Sequence, residues 1–160
     1  MKQFILIFIL NFIVISFFAQ KKKEIKNLKI TSCTELVEIN GKTIVDSKTI
    51  FDKSGEVIEE EKYDDDGKLV SKLKYKHDIN GEIIEELEYD DANKLIKKKT
   101  IKYNYSQKKS EESIFDDKNT LVKKHVYAYN ANGLKTSKTT YDSAGKIISI
   151  KKYTYKYKIG

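Results

Sequence analysis

The chain has 160 residues, with 31 basic residues that are all lysine and 24 acidic residues, giving a net charge of +7 at pH 7. This length suits a single domain. Because arginine, the residue with the planar fork that reads phosphates and guanines, is absent, the composition argues against sequence-specific nucleic-acid binding.

The N-terminus combines a positive start with an apolar run. Lys2 precedes the run Phe4–Phe18, which at 15 residues is shorter than the ~20 residues of a bilayer-spanning helix. Ala19 is a small residue at which cleavage can occur. We therefore predict a secretory signal peptide over residues 1–19, which would place the protein in the periplasm, at the cell surface or outside a bacterium, with no membrane span left after cleavage. The alternative is an uncleaved N-terminal anchor.

The segment after the predicted cleavage point is rich in lysine and lacks the glycine that marks later segments. We interpret residues 20–27 as a disordered basic start and residues 28–160 as one β-hairpin repeat domain, with a first strand near residues 28–39. Cys33 is the only cysteine, so no internal disulfide can form, and we interpret it as a small strand residue and not as a reactive thiol.

The rest of the chain repeats with a period of 26 residues. Large side chains recur at this spacing in two series, Tyr63, Tyr89, Phe115 and Tyr141, and Phe51, His77, Tyr103, Tyr129 and Tyr155. A fixed period of this size is typical of an array built from one supersecondary unit. Each unit divides into segments of 14 and 12 residues, which fits two strands and two turns.

The turns are predicted from residues that favour special backbone conformations. Glycine or asparagine, which tolerate positive φ, occupies the fifth position of almost every segment. These structural turn residues are Gly41, Gly55, Gly67, Gly81, Asn93, Asn119, Gly133 and Gly145. Gln107 is the exception, so its turn is expected to be the least regular. An acidic residue usually opens the turn, where its carboxylate can accept backbone N–H groups and favour a type I turn with a bulge.

Between the turns, apolar and polar residues alternate with a period of two. Leu73, Tyr75 and His77 share one face of their segment, while Lys72 and Lys74 share the other. This alternation is typical of half-buried strands, and no proline interrupts them. The fold class predicted is all-β: a single antiparallel meander sheet of about ten strands built from 26-residue hairpin repeats.

The motifs YDDDGKL at Tyr63 and YDSAGKI at Tyr141, with variants at His77 and Tyr129, resemble the YD repeats of the rearrangement-hotspot (RHS) class. The resemblance covers roughly residue 51 to the C-terminus. It implies long meandering β-sheet, which in large members of the class wraps around a toxin cargo. We expect 160 residues to be too few to close such a shell, the class's usual Gly-Arg step is missing from them, and none of their segments is expected to form a toxin domain.

Charge alternates along the chain and also differs between its halves. Acidic segments at 56–62 and 82–88 precede basic segments at 68–76 and 94–102, so opposite charges are expected to pair across neighbouring strands. Residues 37–88 hold 8 lysines and 15 acidic residues, net −7, whereas residues 89–160 hold 17 lysines and 7 acidic residues, net +10. Charged residues at inward positions, such as Glu59 and Lys99, favour one solvated layer over a closed sandwich.

Tyrosines in the basic half are the candidate binding residues. A flat face of tyrosine and lysine can stack on sugars or meet an anionic polymer. The alternative is a cross-strand ladder that only holds the sheet together. The candidate ligand-binding residues are Tyr103, Tyr127, Tyr129, Tyr141, Tyr153 and Tyr155.

Residue patterns typical of enzymes are missing from the sequence. The two histidines, His77 and His125, lack partners at metal-ligand spacing, and no nucleophile, zinc or phosphate-loop motif occurs. We therefore predict no catalytic residues, no metal and no cofactor. The competing hypothesis is a hydrolase or metal enzyme whose site uses aspartates in the turns, where Asp64–Asp66 and Asp116–Asp117 could bind calcium.

The function predicted is that of a secreted, non-enzymatic binding or structural repeat protein. Its partner is an unknown protein or an anionic surface polymer. One alternative is glycan or anionic-polymer binding through the tyrosine and lysine face, and a second is a toxin-system accessory or immunity protein. The two sheet edges carry opposite charge, so we expect a monomer with weak, salt-sensitive self-association.

Overall fold

The computed structural model of the protein describes residues 22–39 and 41–158. The predicted signal peptide lies outside these residues. The described residues contain no helix that could span a lipid bilayer.

Ten antiparallel strands form one open sheet in which spatial order equals chain order. The strands are β1 Ser32–Ile39, β2 Lys42–Phe51, β3 Val57–Tyr63, β4 Leu69–His77, β5 Ile83–Tyr89, β6 Leu95–Tyr103, β7 Lys109–Phe115, β8 Leu121–Tyr129, β9 Lys135–Asp142 and β10 Ile147–Lys152. The predicted fold class, a single antiparallel meander, is confirmed.

A short helix over residues 22–28 precedes the sheet, so the interpretation of residues 20–27 as disordered is wrong where the structure describes them. The helix ends in a Schellman motif: Lys29 has φ 54°, its N–H donates to the carbonyl of Lys26, and the N–H of Ile30 donates to the carbonyl of Ile25. Ile25 is buried. The first strand accordingly begins at Ser32 and not at residue 28.

The eight turns between β2 and β10 use the same pair of backbone hydrogen bonds. In the turn after β3, Gly67 donates its N–H to the carbonyl of Asp64, and Asp64 donates to the carbonyl of Lys68. The Asp64 carboxylate accepts the N–H groups two and four residues on, from Asp66 and Lys68. The β3–β4 ladder shifts register between Lys62 and Tyr63, next to this turn. The connection is therefore a type I turn with a left-handed residue and a bulge.

The turn at Gln107 keeps this geometry, so the prediction that it is the least regular is wrong. Gln107 has φ 55°, close to the 60° of Asn93 and Asn119. Asn104 replaces the usual aspartate, and its side-chain oxygen accepts the N–H groups of Ser106 and Lys108. The hydrogen bonds of the hairpin therefore hold a glutamine in the left-handed region, at a cost in backbone strain.

Replacing this glutamine by glycine should stabilise the protein. Because a left-handed conformation costs a non-glycine residue about 1–2 kcal/mol, Gln107→Gly is expected to raise the free energy of unfolding by about 1 kcal/mol. Ser106→Gly, at the neighbouring position, is the control and should instead lower it by roughly 0.5–1 kcal/mol. Chemical denaturation followed by circular dichroism measures both, and a destabilised Gln107→Gly would contradict the strain.

The sheet has two faces, which the register of the ladders identifies. The front face carries Tyr75, Ile101 and Tyr127, and the back face carries Tyr89 and Phe115. Burial is shallow on both, as expected for one layer. Among the described residues only four apolar side chains are buried, and none is fully enclosed: Ile25, Ile44, Phe51 and Ile101.

Ion pairs join the neighbouring strands, which confirms the predicted cross-strand pairing of charge. On the back face, the ammonium of Lys72 lies 3.1 Å from Glu61, and that of Lys74 lies 3.3 Å from Glu59. On the front face, Lys99 lies 2.7 Å from Glu86. A one-residue slip would bring each lysine to the wrong face, so these pairs help to fix the register.

Candidate functional site

Three of the candidate tyrosines use their hydroxyl groups inside the fold. The hydroxyls of Tyr103, Tyr129 and Tyr155 donate to the backbone carbonyls of the residues 20 positions earlier, over 2.9, 2.7 and 2.7 Å. These acceptors open strands β5, β7 and β9. Tyr103 and Tyr129 end β6 and β8, and Tyr155 follows the end of β10, so each hydroxyl ties the chain at that point to the preceding strand. Their rings lie on the front face, but their hydroxyls are occupied.

Tyr127 and Tyr153 lie on the same front face with two lysines between them. The ammonium of Lys135 is 4.8 Å from the ring centre of Tyr127 and 5.8 Å from that of Tyr153. The ammonium of Lys138 is 5.7 Å from the ring centre of Tyr127. We call Tyr127, Lys135, Lys138 and Tyr153 the tyrosine–lysine cluster. Its geometry fits cation–π attraction within about 6 Å of each ring.

Tyr141 lies on the other face of the sheet. In β9 it is three residues from Lys138, and successive side chains of a strand point to opposite faces. Its ring contacts Lys124 on the back face at 5.3 Å, as Phe115 contacts Lys98 at 5.9 Å. The structure therefore brings five of the six candidate tyrosines to one face and leaves Tyr141 apart from them.

The charge around the tyrosine–lysine cluster differs from that of the rest of the sheet. Among the described residues, every ion pair joins side chains between positions 22 and 117, and none reaches strands β8–β10. Neither Lys135 nor Lys138 has an ion pair with another described residue. Lys138 stands directly opposite Lys151 of β10, a like-charge pair that destabilises an isolated ladder.

Titration of the cluster reflects this crowding. Burial lowers the pKa of Lys138, and the neighbouring charges of Lys135 and Lys151 lower it further, while Glu112 acts in the opposite direction. Burial also raises the pKa of Tyr127 to about 12. A bound anion would relieve the repulsion among the lysines, so the cluster is electrostatically prepared for one.

His125 lies beside this cluster on the front face and is almost entirely enclosed. Its Nδ1 lies 3.0 Å from the hydroxyl oxygen of Thr140, and both side chains are buried. Burial lowers the pKa of His125, and nearby Lys138 lowers it further. The histidine is thus a packed polar residue in the middle of the ladder, with its ring held by a hydrogen bond.

Within residues 22–39 and 41–158, no three histidine, cysteine, aspartate or glutamate side chains come together as a metal site. The turn aspartates proposed as calcium ligands are engaged by the backbone. One carboxylate oxygen of Asp116 accepts the N–H groups of Lys118 and Thr120, and Asp64 makes the corresponding bonds. These are the bonds to backbone N–H groups that were predicted for the acidic residue that opens each turn.

A groove of about 690 Å³ lies at the other end of the sheet, between the short helix and the turn after β4. Lys22 and Glu56 form an ion pair along it, and Tyr75 and His77 line its floor. The groove is lined by side chains of both signs, and this pair joins one of each. In the tyrosine–lysine cluster, by contrast, two ammonium groups that have no ion pair among the described residues flank a single ring, that of Tyr127.

No family model and no curated protein matches this chain. Among solved structures, it is similar to TarM of S. aureus, with 20% identity and a TM-score of 0.33 over 81% of this chain and 23% of TarM. It is also similar to a porin-like protein of Bacteroides uniformis, with 12% identity, a TM-score of 0.42 and coverage of 78% and 49%. A protein of unknown function from Bacteroides fragilis shows 16% identity, a TM-score of 0.40 and coverage of 79% and 95%.

The chain thus spans less than a quarter of TarM and about half of the porin-like protein. At these TM-scores the similarities carry no information on function. Function must be inferred from the residues themselves.

Sequence reasoning named the tyrosines of the cluster but missed the two lysines that distinguish it. Lys135 lies opposite Tyr129 at a bulge, and Lys138 lies opposite Tyr127. The signal was present in part, because the alternation within β9 places Lys138 on one definite face. The bulge that turns Lys135 toward the same face depends on the pairing of two strands, which one strand alone does not reveal.

Proposed function

We propose that this chain is an exported, non-enzymatic binding protein of the bacterial periplasm or cell surface, and that its tyrosine–lysine cluster binds an anionic polymer. The apolar run of residues 4–18 supports export. The turn motifs that resemble YD repeats support a scaffold of hairpins. Neither feature requires a catalytic centre.

The observation that carries the proposal is that Lys135 and Lys138 both lie within 6 Å of the ring centre of Tyr127 and have no ion pair among the described residues, whereas every lysine of β6 and β7 pairs with a glutamate. Lys72, Lys98 and Lys99 each lie within 3.4 Å of a glutamate. Around the cluster, the lysines are not paired with glutamates, and Lys138 lies opposite Lys151. Cationic groups held at a fixed spacing on a flat, aromatic face suit a repeating anionic chain.

The ring of Tyr127 suits a polymer built of sugars. It is flanked by two ammonium groups, so a sugar ring stacked on it would place acidic substituents near both. Aromatic side chains with a polar tip are well suited to such partly wet contacts. The polymer expected is accordingly a carboxylated, sulfated or phosphorylated glycan.

Retention on immobilised dextran sulfate, compared with neutral dextran, tests this proposal. The unchanged protein should be retained on the sulfated polymer and released by salt. Each lysine near an anionic surface contributes about 1 kcal/mol, so Lys135→Gln with Lys138→Gln should weaken retention roughly 10- to 30-fold.

The matched control is Lys53→Gln with Lys62→Gln, which removes the same net charge from the acidic half of the sheet. It should retain almost the full affinity. Equal losses in the two double variants would show that only net charge matters, which would refute the cluster as a site. Tyr127→Leu tests the ring: unchanged retention in that variant would exclude stacking while leaving an ionic contact.

A further inference from the structure

Both edges of the sheet are open among the described residues. β1 pairs only with β2, and β10 pairs only with β9. A strand at an edge leaves alternate backbone N–H and carbonyl groups directed away from the sheet, where another strand can bind them. Nothing in the described part of the chain lies beyond either edge strand.

The two edges are complementary in charge. β1 carries Glu35 and Glu38 and no lysine, whereas β10 carries Lys151 and Lys152 and no acidic residue. Two β1 edges would therefore repel, as would two β10 edges, but β1 and β10 attract. This pattern selects a head-to-tail contact over a symmetric one.

Exposed apolar side chains accompany the charges at both edges. Leu36 of β1 is 63% exposed, and Ile148 and Ile150 of β10 are 52% and 53% exposed. Large apolar side chains on an open edge are a liability in a protein that stays alone, because they favour strand addition. The exposure of these three apolar side chains is explained if a strand of another molecule covers them.

The direction of the strands permits this pairing without rotating one molecule over the other. All strands alternate in direction, so β10 of one copy and β1 of a second copy in the same orientation are antiparallel. If Lys151 faces Glu35, antiparallel counting places Ile150 opposite Leu36. Both pairs are consistent in face: Lys151 and Glu35 lie on the front, and Ile150 and Leu36 lie on the back.

We propose that β10 of one molecule binds β1 of a second copy of this chain, so that the sheet continues from molecule to molecule. Lys151 pairs with Glu35, and Ile150 packs on Leu36. The inference is independent of polymer binding, since the contact involves the edges and leaves Lys135 and Lys138 free. Because the contact is heterologous, it produces open chains of molecules and not closed dimers.

Sedimentation velocity of the purified chain at about 20 mM and about 500 mM salt tests the charge pairing, because the screening length of exposed charges falls from roughly 20 Å to roughly 4 Å over this range. We expect the sedimentation coefficient to rise with protein concentration at low salt and to fall toward the monomer value at high salt. Glu35→Lys should abolish association at low salt. Adding Lys151→Glu to that variant should restore it, because the edges are again complementary.

Asp65→Lys is the matched control, since it makes the same change in net charge at an exposed turn and should leave association intact. A wild-type protein that stays monomeric at about 100 μM and low salt would overturn the proposal, and so would a double variant that stays monomeric after the charge swap. Retention of the Glu35→Lys variant on dextran sulfate separates this test from that of the polymer site, because a monomer with an intact cluster should still be retained.

Cross-linking identifies which edges meet. In a Cys33→Ser background, one protein carries Leu36→Cys and a second carries Ile150→Cys. Oxidation of the mixture should produce a disulfide-linked heterodimer on a non-reducing denaturing gel, while each protein alone should produce no disulfide-linked species. Cross-linking of either protein with itself, or none in the mixture, would contradict the β10-to-β1 contact.

Discussion

Ile101→Ala is expected to destabilise the protein by about 2–4 kcal/mol, whereas Ile96→Ala in the same strand should cost less than about 1 kcal/mol. Ile101 is 7% exposed and Ile96 is 43% exposed. Both changes remove the same atoms and the same β-branched side chain from β6. Their difference therefore isolates burial from strand propensity.

The size of this difference tests how a single-layer sheet is held together. Ile101 lies on the front face opposite Glu112, which is in turn opposite His125, so its neighbours are long or polar side chains. If their alkyl and ring portions form a true packed layer, removing the isoleucine leaves a cavity. Urea denaturation followed by circular dichroism measures both variants, and equal losses would mean that the front face has no effective core.

Gly55→Ala should be more damaging than Gly67→Ala, although the two glycines occupy equivalent turns. Their φ angles are 80° and 77°, so the left-handed conformation costs an alanine about 1 kcal/mol in either place. A Cβ at Gly55 would lie 2.7 Å from the carbonyl oxygen of Lys22, whereas one at Gly67 would meet nothing within 4 Å. We expect Gly55→Ala to lose a further ~1–3 kcal/mol, because backbone must move.

Hydrogen exchange locates the effect. The N–H of Ile30 is bonded to the carbonyl of Ile25 at the end of the short helix, so its protection reports whether the helix is formed. In Gly55→Ala this protection should fall while that of the distant strands persists. Gly67→Ala should keep it. Full protection in both variants would show that the turn yields to the new methyl group without releasing the helix.

The strands and turns could be predicted from sequence because residues within each 26-residue unit determine its local structure. Alternation sets the strands, and Asp64 with Gly67 sets the turn by local hydrogen bonds. Gln107 shows the limit of residue preference, since its turn forms although glutamine is a poor left-handed residue. There the ladders on both sides impose the conformation.

The short helix and the composition of the candidate site could not be predicted because both depend on contacts distant in sequence. Residues 22–28 are mostly polar, and their helix is held where Lys22 approaches Gly55 and Glu56. Likewise, Lys135 and Lys138 become distinctive only when the register shows that no acid faces them and that Lys151 does. The position of Tyr141 on the other face of the sheet also depends on the bulges, which change the face that each residue occupies.

Because the meander never returns on itself, β1 and β10 lie at opposite edges, about 43 Å apart for nine spacings of ~4.8 Å. A pulling force applied between the two ends of the sheet would act across the strands and load one ladder at a time. The hairpins would then unpair one after another. Each would add a similar length to the extended chain, because all repeats have the same size. The sheet would thus behave mechanically as an extensible spacer of uniform links and not as a rigid block.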